Sequence, residues 1–140
     1  MIQVGAAIIR QAGRILICRR QPGGSCSSLW EFPGGKREQG ESMERCIVRE
    51  CREELGVELE LEDICGRTVY DYPDQTVDLT FYNARIEAGN MEVKVHQEVR
   101  WVESEDLKNY SFCPADEEIV RKLAQGALGE NGRDIRTGGI

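Results

Sequence analysis

The sequence lacks several features that would assign it to a special class of protein. It has no run of 18 or more apolar residues, so no membrane-spanning helix is expected, and it has no internal repeat. We find no segment that resembles a secretory signal. Basic residues are outnumbered by acidic ones, 18 to 25, and the net charge is −7. This balance disfavours binding to a nucleic-acid polymer or to an anionic membrane, but it allows a small anionic substrate whose charge metal ions neutralise.

The cysteines include no C-x2-C pair, which disfavours a zinc site or a disulfide framework. Cys46 and Cys51 fall in a predicted helix and Cys18 in a predicted strand, where a buried thiol acts as a small apolar group. We therefore expect free thiols in a reducing compartment and a cytoplasmic protein. The full set is Cys18, Cys26, Cys46, Cys51, Cys65 and Cys113.

The 140 residues suit one domain with a sizeable core, built from both strands and helices. Strands are predicted at 2–9, 14–18, 59–72, 75–87 and 99–102, and helices at 42–55 and 115–125. This order indicates a mixed α/β (α+β) fold. The glycine-rich end, 126–140, is expected to be a flexible tail, which leaves residues 1–125 as the single domain.

Three carboxylates share one face of the first predicted helix. Glu50, Glu53 and Glu54 stand at positions i, i+3 and i+4, where like charges repel. We therefore expect a cation over them, and Mg²⁺ prefers carboxylate oxygens and is usually bound together with substrate phosphates. The alternative is a solvated acidic face, which is how most charge runs on helices are used.

The rest of this helix places the carboxylates beside the core. Ile47, Cys51 and Leu55 form an apolar stripe, and the glutamates lie at its edge. Ser42 or Glu41 is expected near the N-cap, and Gly56 ends the helix. A cleft at this edge can be shared with the preceding glycine-rich loop.

The segment from the glycine loop to the end of the helix resembles the Nudix box, G-x5-E-x7-R-E-U-x-E-E-x-G-U, where U is apolar. Every fixed position of this pattern is filled, which makes the resemblance far more specific than a single glycine motif. The matching residues span 35–57 and are Gly35, Glu41, Arg49, Glu50, Cys51, Glu53, Glu54, Gly56 and Val57.

Residues 2–125 further resemble the MutT-type nucleoside triphosphate pyrophosphohydrolases of the Nudix superfamily. The resemblance implies a mixed β-sheet sandwiched between helices. It also implies that the backbone carbonyl of Gly34 binds metal together with Glu50, Glu53 and Glu54, and that Glu53 or Glu50 deprotonates the attacking water. Independently of the resemblance, Pro33 and the glycines after it permit a sharp turn that exposes carbonyl oxygens, which suits a hard cation.

Two arginines have predicted roles beside the carboxylates. Arg49 can pair with Glu41 or Glu53 and hold a carboxylate in orientation, which is the pairing that the family implies. Arg19 and Arg20 resemble the R-R pair of MutT-type enzymes, whose second arginine contacts substrate. Because strand alternation lets only one neighbour face the cleft, we choose Arg20 as a clamp on phosphate or sugar oxygens.

The segment around Glu31 and Phe32 resembles the L-E-F-P-G-G segment of the MutT-type enzymes, and both residues are expected at the substrate site.

Asp116 stands where 8-oxoguanine-specific members present a base-reading Asn. An ionised Asp only accepts hydrogen bonds and suits the exocyclic amine of cytosine, whereas a protonated Asp in a dry pocket can act like Asn. Alternatively, Asp116 only caps the last helix.

Val95 stands where many members have a glutamate with a metal or base role. We therefore predict that Glu98 is a possible auxiliary base, or that the helix supplies this role alone. His96, the one histidine, is interpreted as a polar loop residue and not as a ligand.

The resemblance as a whole implies an enzyme that uses Mg²⁺, with Mn²⁺ as the alternative ion. It implies cleavage of nucleoside triphosphates to the monophosphate and pyrophosphate, with oxidised purine nucleotides such as 8-oxo-dGTP as the first candidates. CTP or modified pyrimidine nucleotides are the alternative substrates, and a non-catalytic nucleotide sensor is the alternative of another class. A monomer or homodimer is expected.

Overall fold

The structure, a computed structural model, describes residues 1–126. The predicted flexible tail therefore lies, beyond Gly126, outside the described residues. Within this range the chain forms seven strands, two α-helices and two 3₁₀ segments. They are β1 (Ile2–Gln11), β2 (Arg14–Arg19), β3 (Trp30–Glu31), β4 (Gly34–Lys36), α1 (Met43–Leu55), β5 (Glu58–Asp71), β6 (Thr76–Ala88), β7 (Glu98–Val102), a 3₁₀ helix (Ser104–Asn109), a 3₁₀ turn (Pro114–Asp116) and α2 (Glu117–Ala124).

The five predicted strands and both helices are present, with ends shifted by one or two residues. The last helix is the main correction, because α2 begins at Glu117 and not at residue 115. Pro114 starts a separate 3₁₀ turn that includes Asp116. The short strands β3 and β4 are not predicted by the sequence analysis, since two or three residues are too few to display alternation.

The sheet is mixed, as expected, and β1 is its centre. β1 runs parallel to β6, from Ile2 opposite Val77 to Ile9 opposite Ala84. On its other side β1 pairs antiparallel with β4 near its start and with β2 at its end. The chain therefore brings the glycine-rich strand β4 against the middle of the sheet, immediately before α1.

The helices cover opposite faces of this sheet, which confirms the predicted arrangement of a sheet between helices. Neighbouring residues of β1 alternate between two cores. Ala7 and Ile9 pack with the α1 stripe, whereas Ala6 and Ile8 belong to the core that contains α2. The α1 contribution is Ile47, Cys51 and Leu55, and the α2 contribution is Ile119, Val120 and Leu123.

Both ends of α1 are fixed by local interactions. Ser42 is the N-cap, and its hydroxyl accepts a hydrogen bond from the backbone N–H of Arg45 at 3.1 Å. Gly56 ends the helix in the left-handed conformation, with φ of 71°, and its N–H bonds the carbonyl of Arg52. The predicted cap and stop are thus confirmed, and the carboxylate face has a fixed start and end.

The cysteines are free thiols in the described part of the chain, as predicted. Five of the six are buried, and only Cys26 is partly exposed. Among residues 1–126, no helix is both long and apolar enough to cross a membrane.

We predict that Ile47→Ala lowers the free energy of unfolding by about 2–5 kcal/mol, because it leaves a cavity under α1. Ile47 has no exposed surface, whereas Ile64 on β5 is 55% exposed. Ile64→Ala is the matched control, and it should cost about 1 kcal/mol or less. Urea unfolding of both variants measures the difference, and equal losses would contradict the assignment of this core.

Candidate active site

A cavity of about 540 Å³ opens between α1, the sheet and the loops at one end of the molecule. Its walls come from β1, β3, β4, β6 and α1, from the loop after β2, from the turn after β5 and from the 3₁₀ turn before α2. Most of the predicted site residues meet here, although they come from distant parts of the chain. Those that line the cavity are Arg20, Glu31, Phe32, Gly34, Glu50, Glu54 and Asp116.

Arg49 lies behind this wall and binds three glutamates at once. Its Nε donates to Glu41 Oε2 at 2.7 Å and its Nη2 to Glu41 Oε1 at 3.0 Å. Its Nη1 donates to Glu50 at 2.8 Å and to Glu53 at 3.4 Å. The hydrogen bond from Arg49 lowers the pKa of Glu41 to about 2. Both pairings that were predicted for Arg49 are therefore present, and Glu50 is held by the same guanidinium.

The three helix carboxylates differ in their surroundings. The side chains of Glu50 and Glu54 are 20% and 15% exposed, whereas that of Glu53 is 59% exposed. Glu53 contacts Arg49 and does not line the cavity. The roles of Glu53 as a metal ligand and as a base therefore stay predictions.

Glu54 is the most strongly perturbed carboxylate of the helix. Burial, and after it the nearby carboxylates of Glu31 and Glu50, raise the pKa of Glu54 to about 9. The backbone N–H of Gly34 donates a hydrogen bond to Glu54. Among residues 1–126, no hydrogen-bond partner is found for its buried Oε1. A buried carboxylate oxygen without a partner is costly, and a cation beside it would remove that cost.

The glycine strand leaves room for these carboxylates. A Cβ atom at Gly35 would overlap the carboxylate of Glu50, and a Cβ atom at Gly34 would overlap the carbonyl oxygen of Gly5. Only glycine therefore allows β4 to lie this close to both α1 and β1. These contacts explain how the glycine-rich loop and the helix come to share one cleft.

The donor set fits a hard divalent ion in part. Glu50 and Glu54 supply carboxylate oxygens within one cavity that also contains Gly34, and oxygen is the ligand that such ions prefer. Within the described ranges, however, the side chains form no ready cluster of three or more His, Cys, Asp or Glu groups. Magnesium sites commonly use one or two carboxylates and complete their shell with water and substrate phosphates, so two carboxylates are compatible with such a site.

Two cationic residues, Arg20 and Lys36, line the cavity, and Arg20 is the one with a predicted role. Arg20 donates from Nη1 to Glu31 Oε1 at 3.0 Å and from Nε to the carbonyl of Ser25 at 3.2 Å. Arg19 points elsewhere and contacts Glu98 at 3.4 Å. The alternation argument thus selected the arginine that lines the cavity, although its contact with substrate stays a prediction.

Asp116 is buried in the floor of the cavity and is 5% exposed. It precedes α2, but its side chain makes no capping hydrogen bond, so the helix-cap alternative does not describe it. Burial first, and Glu31 second, hold the pKa of Asp116 well above its usual range. Phe32 lies nearby in the core, where its ring is 5.3 Å from that of Phe112.

The start of β7 and the loop before it hold the last two residues considered for the site. Glu98 is not among the residues that line the cavity and pairs with Arg19 and with Arg100, so its role as an auxiliary base stays a prediction. His96 is not an ordinary polar loop residue, since it is 8% exposed and its Nε2 lies 2.9 Å from Glu31 Oε2. The sequence gives no local signal for this position, because the contact joins residues 65 positions apart.

We predict that Glu54→Gln stabilises the metal-free protein at alkaline pH. The folded-state pKa of Glu54 is about 9, above the ordinary value near 4. The contribution of its bound proton to the free energy of unfolding is therefore at its maximum in acid. It is lost as the pH rises toward 9. Relative to wild type, the variant should therefore gain stability, by up to about 5 kcal/mol, between pH 5 and pH 9 in urea unfolding with EDTA.

The matched control is Glu60→Gln, because Glu60 is a surface residue whose side chain is 55% exposed. It should follow the wild-type pH dependence. Added Mg²⁺ should raise the unfolding temperature of wild type more than that of Glu54→Gln, because binding to the folded state stabilises it. Parallel pH profiles for wild type and Glu54→Gln would contradict the burial of a charged Glu54.

Comparison with known proteins identifies the family. Residues 4–122 match the NUDIX domain family. The chain is 34% identical over 116 residues to a CTP pyrophosphohydrolase of Escherichia coli (strain K12), covering 83% of this chain and 86% of the relative. It is 32% identical over 123 residues to an 8-oxo-dGTP diphosphatase of the same organism, covering 87% of this chain and 95% of the relative.

A solved structure supports the same conclusion. The solution structure of the Escherichia coli ORF135 protein has a TM-score of 0.79 and 30% identity, with 93% of each chain covered. The family match over residues 4–122 includes the glycine strand, the carboxylate helix and all the residues that line the cavity. The chain therefore belongs to the Nudix hydrolase family and is a hydrolase of phosphoric anhydrides.

Proposed function

We propose that this protein is a Mg²⁺-dependent pyrophosphohydrolase of (deoxy)nucleoside triphosphates, with oxidised purine nucleotides such as 8-oxo-dGTP as its preferred substrates. Nudix hydrolases generally use divalent metal ions and act on small nucleotides. The observation that carries the proposal is a single cavity that is lined by Glu50, Glu54 and Gly34 together with Arg20 and Asp116. Mn²⁺ accepts the same oxygen ligands and is the alternative ion.

On the helix side, the metal would be held by the carboxylates of Glu50, Glu53 and Glu54 and by the carbonyl of Gly34. When bound, the metal neutralises phosphate charge and lowers the pKa of a water molecule. Arg49 fixes Glu50 through a hydrogen bond of 2.8 Å, so this carboxylate keeps its orientation. Glu53 or Glu50 accepts the proton of the attacking water. The products are the nucleoside monophosphate and pyrophosphate.

In the same cavity, Arg20 binds phosphate or sugar oxygens of the nucleotide. A guanidinium has five N–H donors, and within the described residues Arg20 donates from Nε and Nη1. Its remaining donors are available to an anionic ligand, and its side chain is 40% exposed. The ion pair with Glu31 limits the orientations of Arg20 before substrate arrives.

Asp116 accounts for the preference for an oxidised purine. Burial raises its pKa well above the usual range, which favours the protonated acid at this position. A carboxylic acid both donates and accepts a hydrogen bond, as the amide of Asn does. It can therefore donate to O6 and accept from the N7–H group that oxidation of guanine creates.

CTP or a modified cytosine nucleotide is the second candidate substrate, and the same residue supports it. An ionised Asp116 accepts a hydrogen bond from the exocyclic amine of cytosine. One of the similar relatives is named a CTP pyrophosphohydrolase. The complete set of box carboxylates disfavours the third candidate, a nucleotide sensor without catalysis.

We predict that purified protein with Mg²⁺ converts 8-oxo-dGTP to its monophosphate and pyrophosphate, with a higher kcat/KM than for CTP or 5-methyl-dCTP. Asp116→Asn should keep the activity on 8-oxo-dGTP within about tenfold, because the amide offers the same donor and acceptor. It should lower the activity on cytosine nucleotides, since the amide cannot provide an ionised acceptor.

The matched control is Asp106→Asn, a substitution at an exposed acidic residue that should change neither activity. Product analysis by ion-exchange chromatography distinguishes pyrophosphate from single phosphate. Preference for CTP in wild type, with loss of that activity in Asp116→Asn, would favour the second candidate. Nucleotide binding in calorimetry without any turnover would favour the sensor.

We predict that Glu53→Gln lowers kcat by about 10²-fold or more, because it removes a charge and a base from the ion site. Glu53 is an exposed helix residue, so the fold should remain intact. Glu60→Gln serves as the control, since its carboxylate is similarly exposed but lies on β5. Near-normal activity of Glu53→Gln with an unchanged unfolding temperature would exclude Glu53 from both roles.

A further inference from the structure

His96 lies in a loop that is hydrogen-bonded to the end of α1. The N–H of Glu92 bonds the carbonyl of Leu55 at 2.9 Å, and the N–H of Lys94 bonds the carbonyl of Glu54 at 3.4 Å. After His96, the N–H of Gln97 bonds the carbonyl of Arg19 at 2.8 Å. The loop therefore connects the end of α1 with the end of β2, and it places His96 between these two elements.

The imidazole of His96 lies close to carboxylates from two elements that line the cavity. Its Nε2 is 2.9 Å from Glu31 Oε2 on β3 and 4.0 Å from Glu54 Oε1 on α1. The other oxygen of Glu31 accepts the hydrogen bond from Arg20. His96 thus ends a chain of contacts that runs through Glu31 to Arg20.

The chemistry of these groups fixes the direction of the contact. An ionised carboxylate only accepts hydrogen bonds, so Nε2 of His96 must carry the hydrogen that it gives to Glu31. The side chain of His96 is only 6% exposed, and water cannot easily replace it. Without this donor, Glu31 Oε2 would lose its hydrogen bond of 2.9 Å at a position where the side chain of Glu31 is only 20% exposed to solvent.

We propose that His96 is a positioning residue for substrate binding, whose Nε2–H holds Glu31 in its ion pair with Arg20. The inference rests on the proposed nucleotide hydrolysis and extends it to the loop before β7. Arg20 is then directed at the phosphate or sugar by a partner that is itself fixed.

We predict that His96→Leu raises KM for the nucleotide substrate by about tenfold or more while kcat changes by less than about threefold. Loss of a hydrogen bond that orients a binding group weakens binding throughout the reaction, and this appears in KM. His96→Gln should keep KM within about threefold, because its amide nitrogen can take the place of Nε2. His96→Asn, whose amide nitrogen corresponds to Nδ1, should resemble His96→Leu.

A double-mutant cycle tests whether His96 acts through Glu31. In a Glu31→Ala background, His96→Leu should change KM by less than about twofold, since the acceptor is gone. Equal effects of His96→Leu in the two backgrounds would overturn the proposal. Equal KM values for His96→Gln and His96→Asn would overturn it as well. The comparison of these two variants replaces the test with His96→Leu if that variant does not fold.

Binding provides a readout that does not depend on turnover. Calorimetry with an α,β-methylene nucleoside triphosphate in EDTA should give a Kd for His96→Leu about tenfold above wild type, with His96→Gln close to wild type. Equal Kd values would overturn the proposal for His96. Absence of hydrolysis by wild type would instead overturn the proposed function, so the two failures are distinguishable.

Discussion

The ion pairs of Arg49 are the interaction on which the cavity depends. One guanidinium joins the loop before α1, through Glu41 and the carbonyl of Lys36, to Glu50 and Glu53 on the helix. Its side chain is 22% exposed, so screening by water is reduced compared with a surface pair. Without this cation, neighbouring carboxylates on one helix face would repel each other, and the glycine strand would lose its anchor to the helix.

The other carboxylates in and beside the cavity differ in their environment. Asp116 is buried and Glu54 is 15% exposed, and both have raised pKa values, whereas Glu53 lies outside the cavity and is exposed. Glu31 lies between Arg20 and His96, each of which contacts one of its oxygens. The carboxylates therefore have different neighbours, which are an arginine and an imidazole for Glu31 and a poorly solvated position for Glu54 and Asp116. A divalent ion beside Glu54 would favour its ionised form, which agrees with the divalent ions that Nudix hydrolases generally use.

The part of the site that was predictable from sequence is the part that local spacing determines. The helix ends at Ser42 and Gly56 and the pairing of Arg49 follow from residues within one short segment. The alternation rule also selected Arg20, because it needs only one strand. His96 could not be found in this way, since its burial results from a loop bond to α1 and from a partner in β3. The strands β3 and β4 were missed for a similar reason, because pairing with distant strands defines them.

The close approach of β4 to α1 has a consequence for how such enzymes diversify. The groups proposed for bond cleavage lie in one continuous stretch from Gly34 to Glu54, whereas the other wall is assembled from segments near Arg20, Tyr72 and Asp116. A point mutation in one of those segments alters the shape and the hydrogen-bonding pattern of the pocket without moving the glycine strand or its helix. Selection can therefore change which nucleotide is accepted while the hydrolytic step is inherited unchanged.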